Sequence, residues 1–189
     1  MGTSAGKVKV YVAANGASSP SGAGALATLK GHGSAPVNRV IVSPSGTRAL
    51  SVSADRAILW DTSDWHKVRT LRSRDGIVDG AICKATPTAA ADLAEGDPER
   101  LADVAEELLV LGFGDDSVMA WDLNTLALAA RLKLPAAERG SGKVLTCVAA
   151  STGGRYVAAG LRSGSVVLWD IPTGALVRII DLPEAVNRV

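Results

Sequence analysis

The sequence predicts an all-β chain built from repeated four-stranded antiparallel sheets, and three observations predict it. The run Ala-Ile-Leu-Trp-Asp at 57–61 returns as Val-Met-Ala-Trp-Asp at 118–122 and as Val-Val-Leu-Trp-Asp at 166–170. Each of these runs has two short apolar segments before it and one after it, with polar turns between them. The tetrapeptide Val37-Asn-Arg-Val40 recurs letter for letter as Val186-Asn-Arg-Val189. Self-similarity in a fixed order marks a repeat architecture, and short strands separated by turn residues mark an antiparallel meander.

The elements follow in order. Lys7 to Val12 alternates polar and apolar residues, as a half-buried strand does. Asn15 to Ala25 is rich in Gly, Ser and Pro and reads as a surface loop, and Ala25 to Lys30 as a second strand. Residues 1–30 are thus expected to supply the last strands of one unit. The first full unit, 31–72, places strands at Asn38–Ser43, Thr47–Ser53, Ala57–Asp61 and Lys67–Arg72. The second, 73–134, places them at Ile77–Lys84, Glu107–Phe113, Val118–Asp122 and Leu126–Leu132. The third, 135–182, places them at Val144–Ala149, Tyr156–Leu161, Val166–Asp170 and Ala175–Ile180. Residues 183–189 are expected to begin the first strand of a following unit.

Trp60, Trp121 and Trp169 are spaced 61 and 48 residues apart, and the longer interval contains an Ala-rich, acidic insertion at 85–106. Its Asp97-Pro98 pair suits a helix start, and Leu101, Val104, Ala105 and Leu108 keep helical spacing, which predicts a short amphipathic helix. A solvated irregular insertion is the alternative. The stretch from Asp92 to Glu107 carries a net charge of −6, so the rest of the chain carries +7 within an overall +1.

Composition narrows the function classes. Lys plus Arg number 20 against 19 Asp plus Glu, so no strong basic field favours nucleic acid or an anionic membrane, and aromatic residues for base stacking are only 4%. Apolar residues reach 47%, enough for a packed core, with no run long enough to span a bilayer and no signal-peptide core at the N-terminus. Cys83 and Cys147 sit in apolar strand-like runs and read as core side chains, as expected in a reducing, cytoplasmic compartment. The chain has no Gly-x-Ser-x-Gly elbow, no P-loop and no paired histidines, so the expectation is no catalytic, cofactor or metal residues.

Gly31-His32 about thirty residues ahead of Trp60-Asp61, with Asp55 in the turn between, resembles the WD40 repeat, whose Gly-His…Trp-Asp unit is one four-stranded blade of a β-propeller. The resemblance implies three complete blades with partial blades at both ends, expected to be a fragment of a larger, seven-bladed ring. A complete four-blade ring closed by 187–189 is the alternative. It also implies a structural hydrogen-bond series in the first blade through His32, Ser51 or Ser53, Asp55 and Trp60, with Asp61, and the scaffold pairs Trp121-Asp122 and Trp169-Asp170 in the others. The order of features, down to Leu176–Pro183, is more loosely similar to the N-terminal propeller of TBC-domain proteins of centriolar satellites and ciliary bases.

That resemblance implies a non-catalytic scaffold or adaptor with protein partners, no small-molecule substrate, and a cytoplasmic place at the centrosome or cilium base. Nucleic acid is disfavoured as a partner. A WD40 scaffold of another pathway, such as a ubiquitin-ligase substrate adaptor or ribosome and RNA-processing assembly, is the alternative. Candidate partner-binding residues are those the repeats do not share. They are the exposed Trp65 and His66, with Trp65 either a lid on its own blade or an interface anchor, and the acidic Asp92, Glu95, Asp97, Glu99 and Asp103.

Overall fold

The structure is a computed structural model that describes residues 6–11, 25–85, 107–140 and 143–188. The insertion helix and the acidic candidates Asp92, Glu95, Asp97, Glu99 and Asp103 lie outside these residues, as does most of the Gly/Ser/Pro loop. The chain forms β1 (Lys7–Val10) and β2 (Ala27–Lys30), then β3 (Val37–Val42), β4 (Arg48–Ser53), β5 (Arg56–Asp61) and β6 (Lys67–Arg72). It continues through β7 (Ile77–Lys84), β8 (Glu107–Phe113), β9 (Ser117–Asp122) and β10 (Leu128–Lys133). Last come β11 (Leu145–Ala150), β12 (Tyr156–Leu161), β13 (Ser165–Asp170) and β14 (Leu176–Asp181).

β1 and β2 pair with each other, and β3–β6, β7–β10 and β11–β14 are three antiparallel meanders whose strands pair in sequence order. The first strands, β3, β7 and β11, adjoin one another from sheet to sheet, so each sheet radiates outward from an inner strand. This is the arrangement of consecutive propeller blades. All three sheets also share two register shifts, one at the start of the inner strand (37/39, 77/79, 145/147) and one beside the Trp (59/60, 128/130, 168/169). Bulges are conserved features of a strand pair rather than defects, and their recurrence marks the sheets as copies of one unit.

The core lies between sheets, because adjacent sheets bury their facing sides against each other. Leu50 and Val52 of β4 pack with Leu59 of β5 against Leu109, Leu111 and Phe113 of β8. The alternate residues Leu108 and Val110 turn the other way, against Val157, Ala159 and Leu161 of β12 and Trp169 of β13. A smaller cluster joins Val8 and Leu29 to Ala49, Ile58 and Trp60. With period-2 alternation feeding two cores, the strands read as continuous apolar runs rather than alternating ones. Gly112 lets the second and third sheets approach closely: a Cβ there would stand 2.7 Å from Val148 Cγ1 and 2.8 Å from Leu145 Cδ2.

Three expectations are corrected. Leu126 is not in a strand. It has φ 60° in a turn where its N–H bonds Asp122 O (2.9 Å), which delays β10 to Leu128. Leu108, counted in the helical spacing of the insertion, belongs instead to β8, which opens at Glu107 as the strand reading expects. Residues 183–188 form no strand and pair with no other strand among the described residues. Val186 is nonetheless buried over Cys147 and Gly160, and its N–H bonds Leu161 O (3.1 Å).

Candidate functional site

The polar residues singled out in the first sheet meet in one buried line. Trp60 Nε1–H donates to Ser51 Oγ (2.8 Å). Ser51 Oγ lies 2.7 Å from His32 Nε2, and His32 Nδ1 lies 2.8 Å from Ser53 Oγ. Ser53 Oγ donates to Asp55 Oδ1 (2.9 Å). A carboxylate only accepts, so Ser53 must take its own hydrogen bond from His32 Nδ1–H. The neutral ring then accepts at Nε2 from Ser51, whose oxygen accepts from the indole. Every hydrogen thus points from Trp60 toward Asp55, and the Nδ1–H tautomer is the one the line requires.

The backbone makes room for this line. A Cβ at Gly31 would lie 2.5 Å from Ile58 Cδ1, so a side chain there would push the end of Ile58 aside where the chain crosses the sheet edge. Arg56 secures the same crossing, donating from Nη1 to Gly31 O (2.9 Å) and from Nε to Asp55 Oδ2 (2.8 Å). The Arg56 hydrogen bond holds the Asp55 carboxyl below its usual range. His32 is 1% exposed, and burial, with the Arg56 cation adding to it, pushes its pKa below the ordinary imidazole value.

The direction of that shift predicts pH dependence. Below about pH 6.5 the unfolded chain gains an imidazole proton that folded His32 resists, so the unfolded state binds more protons. This stability contribution is therefore complete above about pH 6.5 and declines as pH falls toward the lower folded-state value. Thermal melting should show a fall in midpoint on acidification through pH 6 that is reduced in a His32→Gln variant. Identical slopes in the two proteins would rule out His32 as the source.

The other sheets replace the polar line with carbon. At the positions of Ser51 and Ser53, β8 has Leu111 and Phe113, and β12 has Ala159 and Leu161. Trp121, half-buried, meets Phe113 edge-on with ring centroids 6.2 Å apart. Trp169 is 2% exposed within the core shared by the second and third sheets. The paired aspartates do similar work in all three. Asp61 accepts from Ser63 N–H (2.9 Å), Asp122 from Asn124 N–H (2.7 Å) and Asp170 from Thr173 N–H (3.2 Å), closing the turn after each Trp-Asp. Arg48 also pairs with Asp61, and Arg155 with Asp170 (2.9 Å).

Trp65, expected to be exposed, is half-buried. It sits at φ 63° and packs on the Val8–Leu29–Trp60 cluster, lining a groove of about 270 Å³ with Val10, Tyr11 and Val40. Burial of its ring against that cluster is the geometry of a lid. His66 is exposed, with Nδ1 2.6 Å from Asp64 Oδ1. The ligand atoms of Asp61, Asp64 and His66 lie within 4.8 Å of one another, yet each carboxylate and the imidazole already has a protein partner, and Arg48 sets a cation on Asp61.

The sequence reading missed the ties between sheets. Asp79 Oδ2 accepts from Arg39 Nη1 of β3 (3.0 Å) and from Val148 N–H of β11 (3.1 Å), so one buried carboxylate links three inner strands. Its signal was a lone charge inside the apolar run 77–83. Glu107 accepts from Ser45 N–H (2.6 Å) and Oγ (2.9 Å), tying the second sheet to the first. Cys83 is buried, and desolvation pushes its thiol up to about 11. Folded protein should therefore resist alkylation at Cys83 at neutral pH, becoming reactive on unfolding. Rapid labelling in the native state would contradict this placement.

The family profile described as "WD domain, G-beta repeat" matches residues 24–61 and 134–170, the spans that end on Trp60-Asp61 and Trp169-Asp170. The chain carries WD40 repeats. Residues 62–133, which include the acidic insertion, lie outside both matches. Among curated relatives, TBC1 domain family member 31 of Xenopus tropicalis is 31% identical over 161 residues, covering 85% of this chain. Its namesakes in Oryzias latipes and Homo sapiens are each 27% identical over the same length. The chain spans 13% of the length of each of these three relatives. WD40 domains typically bind proteins, and no helix among the described residues is long and apolar enough to cross a membrane.

Proposed function

We propose that this chain is a non-catalytic WD40 scaffold that holds partner proteins in a centrosome- or cilium-associated assembly. The observation that carries the scaffold reading is the fate of the repeat residues. His32, Ser53, Asp55, Trp60, Asp61, Asp122, Trp169 and Asp170 are engaged in hydrogen bonds or core packing that hold the blades, which leaves binding to positions the blades do not share. The likeness to TBC1 domain family member 31, together with the resemblance to satellite and ciliary-base propellers, supports the choice of assembly. Residues 31–72, 73–134 and 135–182 act in this reading as three blades.

The acidic positions Asp92, Glu95, Asp97, Glu99 and Asp103, with His66, remain candidates for partner contact, through a basic surface on the partner. Proximity labelling with the chain as bait in ciliated cells tests the reading. Enrichment of centrosomal or ciliary-base proteins, reduced by deleting 86–106, is the expected result. Enrichment of ubiquitin-ligase or ribosome-assembly factors would move the scaffold to another pathway. No enrichment over an unrelated WD40 bait would remove the scaffold function.

A further inference from the structure

The outer strands β2, β6 and β10 carry Lys30, Lys67, Arg69, Arg72, Arg131 and Lys133 and no acidic residue. All six are exposed, and none forms an ion pair with another described residue. Among the described acids, Asp79, Glu107 and Asp170 are already engaged by other residues. The cations are also aimed. Arg69 pairs in register with Leu59, and Arg131 with Met119; both partners pack in the core between the first two blades. Arg69 and Arg131 therefore face the outer mouth of one seam, with Lys133 two residues along on the same face. Arg69 already crosses that seam, donating to Leu126 O (2.8 Å). Half-buried Trp121 and Leu126 line its floor.

β6 and β10 are the edge strands of their sheets. Cations on an edge ordinarily prevent edge-to-edge pairing, because a second copy brings the same charge. An acidic strand reverses that sign: the charges that repel a copy attract it, and the open backbone edge supplies hydrogen bonds. β14, the equivalent strand of the third blade, lacks this field. It has one cation, Arg178, and one acid, Asp181, and exposes Leu176, Val177 and Ile180.

We propose that the outer rim at β6 and β10 binds an extended acidic segment of a partner protein. The segment adds to the β6 edge and lays its carboxylates against Arg69, Arg131 and Lys133, with an apolar side chain over Trp121. This deepens the scaffold reading and rests on it. An extended polypeptide fits better than nucleic acid, because the seam offers strand edges and aliphatic carbon and only one half-buried aromatic ring for base stacking.

Fluorescence anisotropy with the whole chain and a labelled alternating Glu–Val peptide tests the proposal. The expected result is salt-sensitive binding, absent for the alternating Lys–Val peptide and lost when alternate peptide nitrogens are methylated. Arg131→Glu with Lys133→Glu should weaken it about tenfold or more without moving the melting temperature, as both side chains are exposed. Arg69→Lys, which keeps the charge, should bind better than Arg69→Glu. Equal affinity for the Lys–Val peptide, no response to the double variant, or tighter binding of oligothymidylate would overturn the proposal. If proximity labelling still enriches the same proteins with the double variant, the scaffold reading stands and the rim is not its docking site.

Discussion

Trp60→Ala is expected to destabilise the chain by about 3–5 kcal/mol, the largest loss of any single repeat residue. Two effects combine. The indole is 4% exposed and fills the cluster between β1–β2 and the first blade, so its removal leaves a cavity. Its N–H also starts the buried line through Ser51, His32 and Ser53 to Asp55, and without it Ser51 loses a donor in a place water does not reach. Trp60→Phe separates the two: it keeps most of the ring and removes only the donor, for about 1–2 kcal/mol. Trp121→Phe should be close to neutral, because Trp121 is half-buried and engages Phe113 by ring contact. Denaturant titrations of the three variants measure this. Equal losses for Trp60→Phe and Trp121→Phe would show that the polar line adds nothing beyond packing.

Asp79→Ala carries the second largest expected effect, about 3 kcal/mol. Asp79 is 6% exposed, and its removal strands the Val148 N–H in the interior and takes the counter-ion from Arg39. The cost falls mainly on the Val148 N–H, which stays desolvated and unpaired, whereas Arg39, a third exposed, can turn to water. The loss should show as more than a lower midpoint. Asp79 joins inner strands of three successive blades, so its variant should unfold with a smaller denaturant slope as the blades come apart in steps. An unchanged slope would mean that packing alone couples them. Asp79→Asn, which can still accept one hydrogen bond, should fall between the two.

Much of the fold was legible because its signal is local and repeated. The Trp-Asp runs, the Gly-His pair and the turn residues number the blades, and β6, β7, β8 and β12 begin and end where apolar runs meet turns. The buried line was legible too, since its residues lie within one unit. What escaped was contact between units. No spacing in the chain shows that Asp79 reaches both Arg39 and Val148, or that Glu107, at the end of an acidic stretch, turns inward to Ser45. Trp65 was read as exposed because it follows a turn. Its side chain bends back onto Val8 and Leu29, residues supplied by a different sheet. The cationic rim was hidden as well. The six side chains come from three separated strands, and only the common outer position brings them together.

The interleaving of the cores has a further consequence. Because the second sheet gives alternate side chains to the neighbour on either side, its stability resides in the joints. A chain of this kind melts as a row of coupled neighbours, with a unit held on two sides outlasting one held on a single side. β8, buried along its whole length between the first and third blades, should therefore keep its amide protons longest in native-state hydrogen exchange. β2 and β14 should surrender theirs first, so the protection pattern would trace the order in which the joints open.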